Sequence, residues 1–242
     1  NLEFSTQDSD QHEAWLIKFP AQQEHPEVCA IEAVYAECLR LCAIETPDTH
    51  FFNLPNGLTA FASKRFDRQN GMRIPMQSLA AYTGADYKVP GSLDYRNFLR
   101  ATLMCTQDVR ERLHAFKRAV FNVLFNNRDD HTKNFSFLME KNGQWKLAPA
   151  YDVTFCEGPG GYHQMDIMGE ALNISQNDIH KLGTSEANLT TLEVDEIILT
   201  MREIALQFSQ IAQRLYPHQI RESTLQMIQS RIQQNIDFLT ET

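Results

Sequence analysis

The segment FSFLMEKNGQWKLAP at residues 135–149 restricts the fold of this 242-residue chain more than any other feature. Apolar side chains alternate along it, and Asn142-Gly143 at its centre is the preferred sequence of a two-residue type I′ hairpin turn. Because antiparallel neighbours lie ~5 Å apart, the hairpin is expected to bring Asn134, before its first strand, close to Asp152, after its second. An amide oxygen and a carboxylate at that separation suit Mg²⁺, which prefers hard oxygen ligands.

The eight residues before this hairpin, NRDDHTKN at 127–134, concentrate titratable groups behind a predicted helix that begins near Val109. Asp129 precedes Asn134 by five residues, which is the spacing between the base and the metal-binding asparagine of the protein-kinase catalytic loop. A carboxylate kept off the metal remains able to accept the proton of an attacking hydroxyl. The spacing alone has little weight, but together with a strand lysine, a helix glutamate, the Asn-Gly hairpin and Asp152 in the order that a kinase needs, it indicates phosphoryl transfer. Lys133 is either a phosphate contact or a partner for Asp129.

The first sixty residues predict an α+β arrangement. AWLIKFP at 14–20 alternates like a strand, and a helix is expected over 27–43. Lys18 on this strand is expected to meet nucleotide phosphates, as the strand lysine of a kinase does. Glu32 on the helix could orient that lysine, with Glu37 as the alternative.

Composition argues against several functional classes. The net charge of −9 argues against a broad phosphate-binding surface and so against direct DNA binding. No apolar run approaches the ~20 residues of a membrane span, and no signal-like stretch opens the chain. Five cysteines without a CxxC pair point to reduced thiols in a cytoplasmic protein rather than to a disulfide framework or a zinc ribbon.

The remaining elements are mostly helical. One amphipathic helix is predicted from Val194 to Leu215, ended by Pro217, and a second over 228–239. A further strand is expected at residues 3–5, which would place the first residue of the chain inside a hairpin.

Five motifs in a fixed order resemble those of the HipA-like serine/threonine kinases, which are toxins of bacterial toxin–antitoxin systems. They are WLIKFP, KRFDR, NRDDHTKNFSFL, WKLAPAYDVT and HQMDIMGE. The resemblance covers nearly the whole chain. It implies that Asp129 is the catalytic base, that Asn134 and Asp152 bind Mg²⁺, and that Lys18 contacts the phosphates of ATP.

The same resemblance implies a nucleotide pocket. The backbone around Lys64, Arg65 and Phe66 would form the adenine-binding hinge, and His131 and Tyr151 would line the pocket. KRFDR carries a lysine where an acidic residue is common. Little consequence is expected, because the hinge uses backbone groups.

The implied fold is a two-lobed, protein-kinase-like α+β architecture. A small β-rich N-lobe would occupy residues 1–66, and an enlarged all-helical C-lobe would occupy residues 67–242. Characterised members use ATP and Mg²⁺ to phosphorylate aminoacyl-tRNA synthetases, which stops translation. A small helix-turn-helix antitoxin typically neutralises the toxin and represses the operon. The acidic balance of this chain fits an arrangement in which the partner makes the DNA contacts.

Two departures from the family pattern bear on activity. A Gly- and Ser-containing phosphate loop is expected just before residue 3 and is absent here. If the loop is only disordered, the kinase is intact, whereas deletion of the loop would put activity in doubt. The additional N-terminal subdomain of full-length relatives is absent as well. The second absence predicts a short, HipT-type member of a three-gene system, in which a separate small protein supplies that subdomain.

Two other functions stay open at this point. If the phosphate loop is deleted, the chain would be a catalytically inactive kinase-like module that binds partners and regulates its operon. A metal-dependent phosphoesterase built on Asp129, Asp130 and His131 would need further His or Asp ligands. The nearest candidates, His163 and Asp166, lie in a glycine-rich loop that could equally be an activation segment.

Overall fold

The structure, a computed structural model, describes residues 13–239. Its N-terminal part is an antiparallel three-stranded sheet with a long helix packed against it. The elements are β1 (Trp15–Lys18), α1 (Glu27–Leu41), β2 (Thr49–Asn53) and β3 (Thr59–Lys64). The strand order is β1-β3-β2, and the register pairs Lys18 with Phe61. The predicted strand and helix are confirmed, whereas the strand predicted at 3–5 lies outside the described residues.

The remaining strands form a small hairpin and a second three-stranded sheet. They are β4 (Arg68–Gln69), β5 (Met72–Arg73), β6 (Met76–Ser78), β7 (Ser136–Met139) and β8 (Trp145–Leu147). The second sheet has the order β6-β7-β8, with Phe137 opposite Leu147. The hairpin predicted from the sequence is confirmed. It adds a sheet to the part after residue 66, which is otherwise mostly helical.

The turn of this hairpin differs from the predicted two-residue type I′ turn. The N–H of Glu140 donates to the carbonyl of Gln144 at 2.7 Å, so three residues form the loop. Gly143 takes a positive φ of 83°, which is typical of a type I turn followed by a left-handed residue. The side-chain oxygen of Asn142 accepts from the N–H of Gln144 at 2.9 Å, a local bond that favours the longer loop. The segments flanking the hairpin are still brought together.

Helices make up the rest of the described chain. They are α2 (Leu79–Thr83), α3 (Tyr95–Thr106), α4 (Val109–Leu124), α5 (Gln176–Glu186), α6 (Thr191–Leu206), α7 (Phe208–Leu215) and α8 (Glu222–Phe238). The single helix predicted from Val194 to Leu215 is wrong, because the chain leaves helical geometry at Gln207 (φ −94°, ψ 5°). The break lets Phe208 pack in the core, where its ring lies 5.4 Å from that of Tyr35 on α1. Within residues 13–239, each helix is too short or too polar to cross a lipid bilayer.

Two contacts anchor α1 to the helical part. The hydroxyl of Tyr35 donates to the carbonyl of Phe125 at 2.5 Å. The buried carboxylate of Glu27 accepts hydrogen bonds from the backbone N–H of Arg221 at 2.9 Å and from its Nε at 3.0 Å. One continuous hydrophobic core includes side chains from α1 and from α3 to α8. Because Glu32 lies between the two anchors, the packing of the helices sets its position.

Candidate active site

Lys18, at the end of β1, extends its ammonium group between two carboxylates from distant parts of the chain. Its Nζ lies 2.6 Å from Oε1 of Glu32 on α1. It also donates to Oδ1 of Asp152, which follows β8. Glu37, the alternative partner, pairs with Arg40 at 3.2 Å instead. We call Lys18, Glu32 and Asp152 the lysine triad.

The charges of the lysine triad do not cancel. Burial raises the pKa of Glu32 above its ordinary value, and Lys18 reverses only part of that effect. Burial opposes the charge of Lys18, but Glu32 and Asp152 outweigh it and raise the pKa of Lys18. Two carboxylates around one ammonium leave an excess of negative charge, which favours binding of a cation.

Asp129 lies in the loop at 127–134, which we call the Asp129 loop, and its side chain is 46% exposed. Its Oδ1 lies 3.8 Å from Nε2 of His131 and accepts a hydrogen bond from Nε2 of Gln164 at 3.1 Å. Burial raises the pKa of Asp129, His131 opposes that rise, and the charge of Asp152 adds to it. The carboxylate is therefore within electrostatic reach of the lysine triad without being part of its ion pairs.

Asp130, the next residue, has the opposite environment. Its side chain is fully buried and accepts from Oη of Tyr95 at 2.8 Å and from the backbone N–H of Gln164 at 2.7 Å. Nδ1 of His163 lies 2.8 Å from the same carboxylate. These contacts tie the Asp129 loop to α3 and to the segment around residue 164. Asp130 is thus a structural anchor, which argues against a phosphoesterase that uses it as a metal ligand.

Asn134 and Asp152 are the predicted metal ligands. Nδ2 of Asn134 donates to the carbonyl of Asp129 at 2.8 Å, which leaves the amide oxygen available as a ligand. Both side chains reach cavities that adjoin at Ala150 and Val153. In the described part of the chain, no cluster of three or more His, Cys, Asp and Glu residues is arranged to hold a metal. An amide and one carboxylate fit Mg²⁺, which commonly completes its shell with water and phosphate oxygens.

The predicted hinge follows directly from β3. The N–H of Lys64 donates to the carbonyl of Asp48 at 2.9 Å, and the N–H of Arg65 donates to that of Ala14 at 2.8 Å. Both N–H groups are therefore used in backbone hydrogen bonds beside the N-terminal sheet. Among the described residues, the N–H of Phe66 has no backbone carbonyl partner.

The other predicted pocket residues cluster beside the Asp129 loop. The ring of Tyr151 lies 5.5 Å from that of Phe66, and its hydroxyl donates to the carbonyl of Lys133 at 2.6 Å. The ammonium of Lys133 lies 3.5 Å from the ring centre of Tyr87, a cation–π contact. The same ring lies 5.9 Å from that of His131. Within residues 13–239, Lys133 thus packs on an aromatic ring rather than on an aspartate.

Sequence reasoning missed Gln164 as a neighbour of Asp129. Glutamine does not titrate, so a search for acids, bases and metal ligands passes over it. The available signal was the alternation of buried and partly exposed residues, since His163, Met165 and Ile167 are buried and Gln164 between them is partly exposed. Only the fold shows that this outward side chain meets the Asp129 loop.

The comparisons with known proteins agree with this architecture. The chain matches the HipA-like C-terminal domain over residues 2–215 and belongs to that family. A Haemophilus influenzae protein named as a kinase is 25% identical over 167 residues, covering 60% of this chain and 46% of that protein. This chain therefore spans about half the length of that relative.

Two solved structures share the fold. HipA of Shewanella oneidensis MR-1, in a complex with HipB and its operator DNA, matches with a TM-score of 0.73 and 17% identity. The match covers 93% of this chain and 58% of HipA. The Helicobacter pylori proinflammatory kinase CtkA matches with a TM-score of 0.61 and 15% identity, over 94% of this chain and 88% of CtkA. The kinase-like α+β fold predicted from the sequence is confirmed.

Proposed function

We propose that the protein is an ATP- and Mg²⁺-dependent protein serine/threonine kinase that acts as the toxin of a bacterial toxin–antitoxin system. The observation that carries this proposal is the lysine triad, in which the ammonium of Lys18 lies between Glu32 and Asp152. Asp152 meets Lys18 from 134 residues further along the sequence, and the half-exposed carboxylate of Asp129 lies nearby. Membership of the HipA-like family and the similarity to a kinase-named relative support the same activity.

Each residue has a distinct role in the proposed transfer. Lys18 binds the nucleotide phosphates, and Glu32 holds its ammonium in place. Asp129 accepts the proton of the acceptor hydroxyl, and its separation from the triad keeps that carboxylate available. Asn134 and Asp152 would hold Mg²⁺, which supplies positive charge to the phosphate oxygens when bound.

The nucleotide base would lie beside Tyr151, whose ring contacts that of Phe66. In this proposal the N–H of Phe66 receives the adenine, in the hinge formed by Lys64 to Phe66. His131 and Tyr151 complete the pocket. The site would therefore lie at the junction of an N-lobe at 1–66 and a C-lobe at 67–242.

We further propose an aminoacyl-tRNA synthetase as the acceptor protein, with inhibition of translation as the result. A helix-turn-helix antitoxin and a small N-subdomain-like protein are the proposed partners, as in the short, HipT-type systems. The complex of the Shewanella relative with HipB and operator DNA supports the first of these partners. The net charge of −9 supports DNA contact through the partner rather than through this chain, in the cytoplasm.

A phosphate-transfer assay tests the proposal. The protein is incubated with γ-labelled ATP, Mg²⁺ and each purified aminoacyl-tRNA synthetase, and labelled acceptor is located by mass spectrometry. Asp129→Asn is expected to abolish transfer with Mg·ATP binding retained, whereas Asp152→Asn is expected to weaken that binding. Asp237→Asn, at the end of α8, is the matched control and should behave like the wild type. Transfer at the wild-type rate by Asp129→Asn would exclude the proposed base.

The inactive, operon-regulating module is the alternative function. Binding of Mg·ATP to an intact nucleotide site would raise the thermal unfolding midpoint by mass action. The inactive module therefore predicts that Mg·ATP leaves the midpoint of the wild-type protein unchanged. A shift that disappears in Lys18→Met and Asp152→Asn would instead support the kinase. The same preparation can be tested for antitoxin binding, which both functions allow.

A further inference from the structure

Gln164 is the one neutral side chain that donates a hydrogen bond to the Asp129 carboxylate within the described residues, with Nε2 at 3.1 Å from Oδ1. We infer that Gln164 is a positioning residue for phosphate transfer: it holds the Asp129 carboxylate so that its second oxygen faces the acceptor hydroxyl. This inference rests on the proposed function, because it assumes that Asp129 is the base.

The backbone of Gln164 is fixed on both sides. Its N–H donates to Oδ1 of Asp130 at 2.7 Å, and its carbonyl accepts from the N–H of Gly91 at 2.8 Å. The preceding residue, His163, is buried against the same Asp130 carboxylate. Residue 164 thus contacts Asp130 through its main chain and Asp129 through its side chain. The two aspartates are adjacent in sequence, so the donor is held at a set distance from the base.

The local sequence explains why the side chain points toward the base. His163, Met165 and Ile167 are buried in the core, whereas Gln164, at a bend of the chain, is only partly buried. The side chain of Gln164 therefore stays outside the core and contacts Asp129.

A neutral donor suits this position chemically. A lysine or arginine at 3 Å would form an ion pair and hold the carboxylate in its charged form, which weakens it as a proton acceptor. An amide N–H restricts rotation of the carboxylate at a smaller penalty, because Gln164 lowers the pKa of Asp129 less than His131 does. It also occupies Oδ1 alone, so Oδ2 stays available for the hydroxyl.

A series of variants at one position tests the inference. Gln164→Leu keeps the size and removes the donor, and Gln164→Lys retains an N–H donor. Loss of a hydrogen bond to a charged group is expected to lower kcat by about 10- to 100-fold. KM for ATP and the thermal midpoint should stay at the wild-type values, because the lysine triad and the Asp130 contacts are unaltered. Gln164→Lys should recover only part of the loss, because its ammonium restores a donor to Asp129 but also stabilises the charged form of that carboxylate.

The controls separate this inference from the proposed function. Gln210→Leu, on the exposed face of α7, makes the same chemical change away from the site and should transfer phosphate normally. If Asp129→Asn abolishes transfer while Gln164→Leu retains wild-type kcat, the inference is wrong and the kinase assignment stands. If Gln164→Leu lowers the thermal midpoint as well as kcat, the role of Gln164 is structural and the inference is wrong. If the wild-type protein transfers no phosphate to any acceptor, the proposed function and the inference both fail.

Discussion

Replacing Asp130 with alanine is expected to destabilise the protein strongly, although Asp130 is adjacent to the proposed base. The fully buried carboxylate is the acceptor for the Tyr95 hydroxyl and the Gln164 backbone N–H, and it contacts Nδ1 of His163. Alanine removes the acceptor and leaves all three groups without it. The perturbation is local, since the side chain makes no contact with the lysine triad.

The magnitude follows from the groups left without a partner. A buried donor that loses its acceptor costs about 1–3 kcal/mol. The Tyr95 oxygen still receives a hydrogen bond from Nδ2 of Asn122 at 2.9 Å, so part of the network survives. We therefore expect a total loss of about 3–5 kcal/mol, the range found when one member of a buried polar pair is removed. In a domain of this size, that loss corresponds to a fall of about 6–20 °C in the thermal midpoint.

Urea unfolding at pH 7, followed by tryptophan fluorescence and circular dichroism, measures this loss. Asp129→Asn is the control, because it alters an aspartate one residue earlier whose side chain is half exposed rather than buried. It should change the free energy of unfolding by less than about 1 kcal/mol while it removes transfer activity. A loss below about 1 kcal/mol for Asp130→Ala would refute the argument that this carboxylate anchors the loop.

Three further predictions concern Glu32, Glu27 and Gly158. Burial raises the pKa of Glu32, so the stability of the wild-type protein relative to Glu32→Gln should fall as the pH rises through that pKa; urea midpoints of both proteins at pH ~4 and pH ~8 measure this difference, and Glu32→Gln should transfer less phosphate. Burial would raise the pKa of Glu27, but the hydrogen bonds from Arg221 outweigh burial and lower that pKa. Glu27→Gln should therefore have a lower urea midpoint than the wild type at pH 7, and the difference should disappear in acid, where Glu27 is protonated. Gly158→Ala should reduce thermal stability and transfer, since φ is +70° and a Cβ would collide with the carbonyl of Tyr162.

The sequence predicted the arrangement of the site better than its details. The hairpin and the spacing from Asp129 to Asn134 are local features, and each is set by residues close together in the chain. The turn was wrong because the side chain of Asn142 bonds to the backbone and favours a longer loop. The break at Gln207 was missed because apolar periodicity continues through it, and only the packing of the core requires the bend.

The different roles of the two aspartates could not be predicted from their order. Asp129 and Asp130 have the same chemistry and adjacent positions, and either could act as a base or as an anchor. Spacing to Asn134 favoured Asp129, but burial of Asp130 depends on His163 and Tyr95, each more than thirty residues away. Such long-range contacts are fixed by the fold, so the sequence alone leaves the anchor unidentified.

The anchoring of α1 has a consequence for how the activity could be controlled. Glu32 is held between the Glu27 contact with α8 and the Tyr35 contact with Phe125, so the packing of α1 positions its ion pair with Lys18. A switch that moved α1 would have to break both buried contacts and open the common core. The base side of the site is less restrained at its side chains, because the Asp129 carboxylate is half exposed and, among the described residues, accepts one side-chain hydrogen bond, from Gln164. Because the backbone of residue 164 is tied to the buried Asp130, a partner would act with least cost on the Gln164 side chain, and not on the surrounding segment or on the lysine triad.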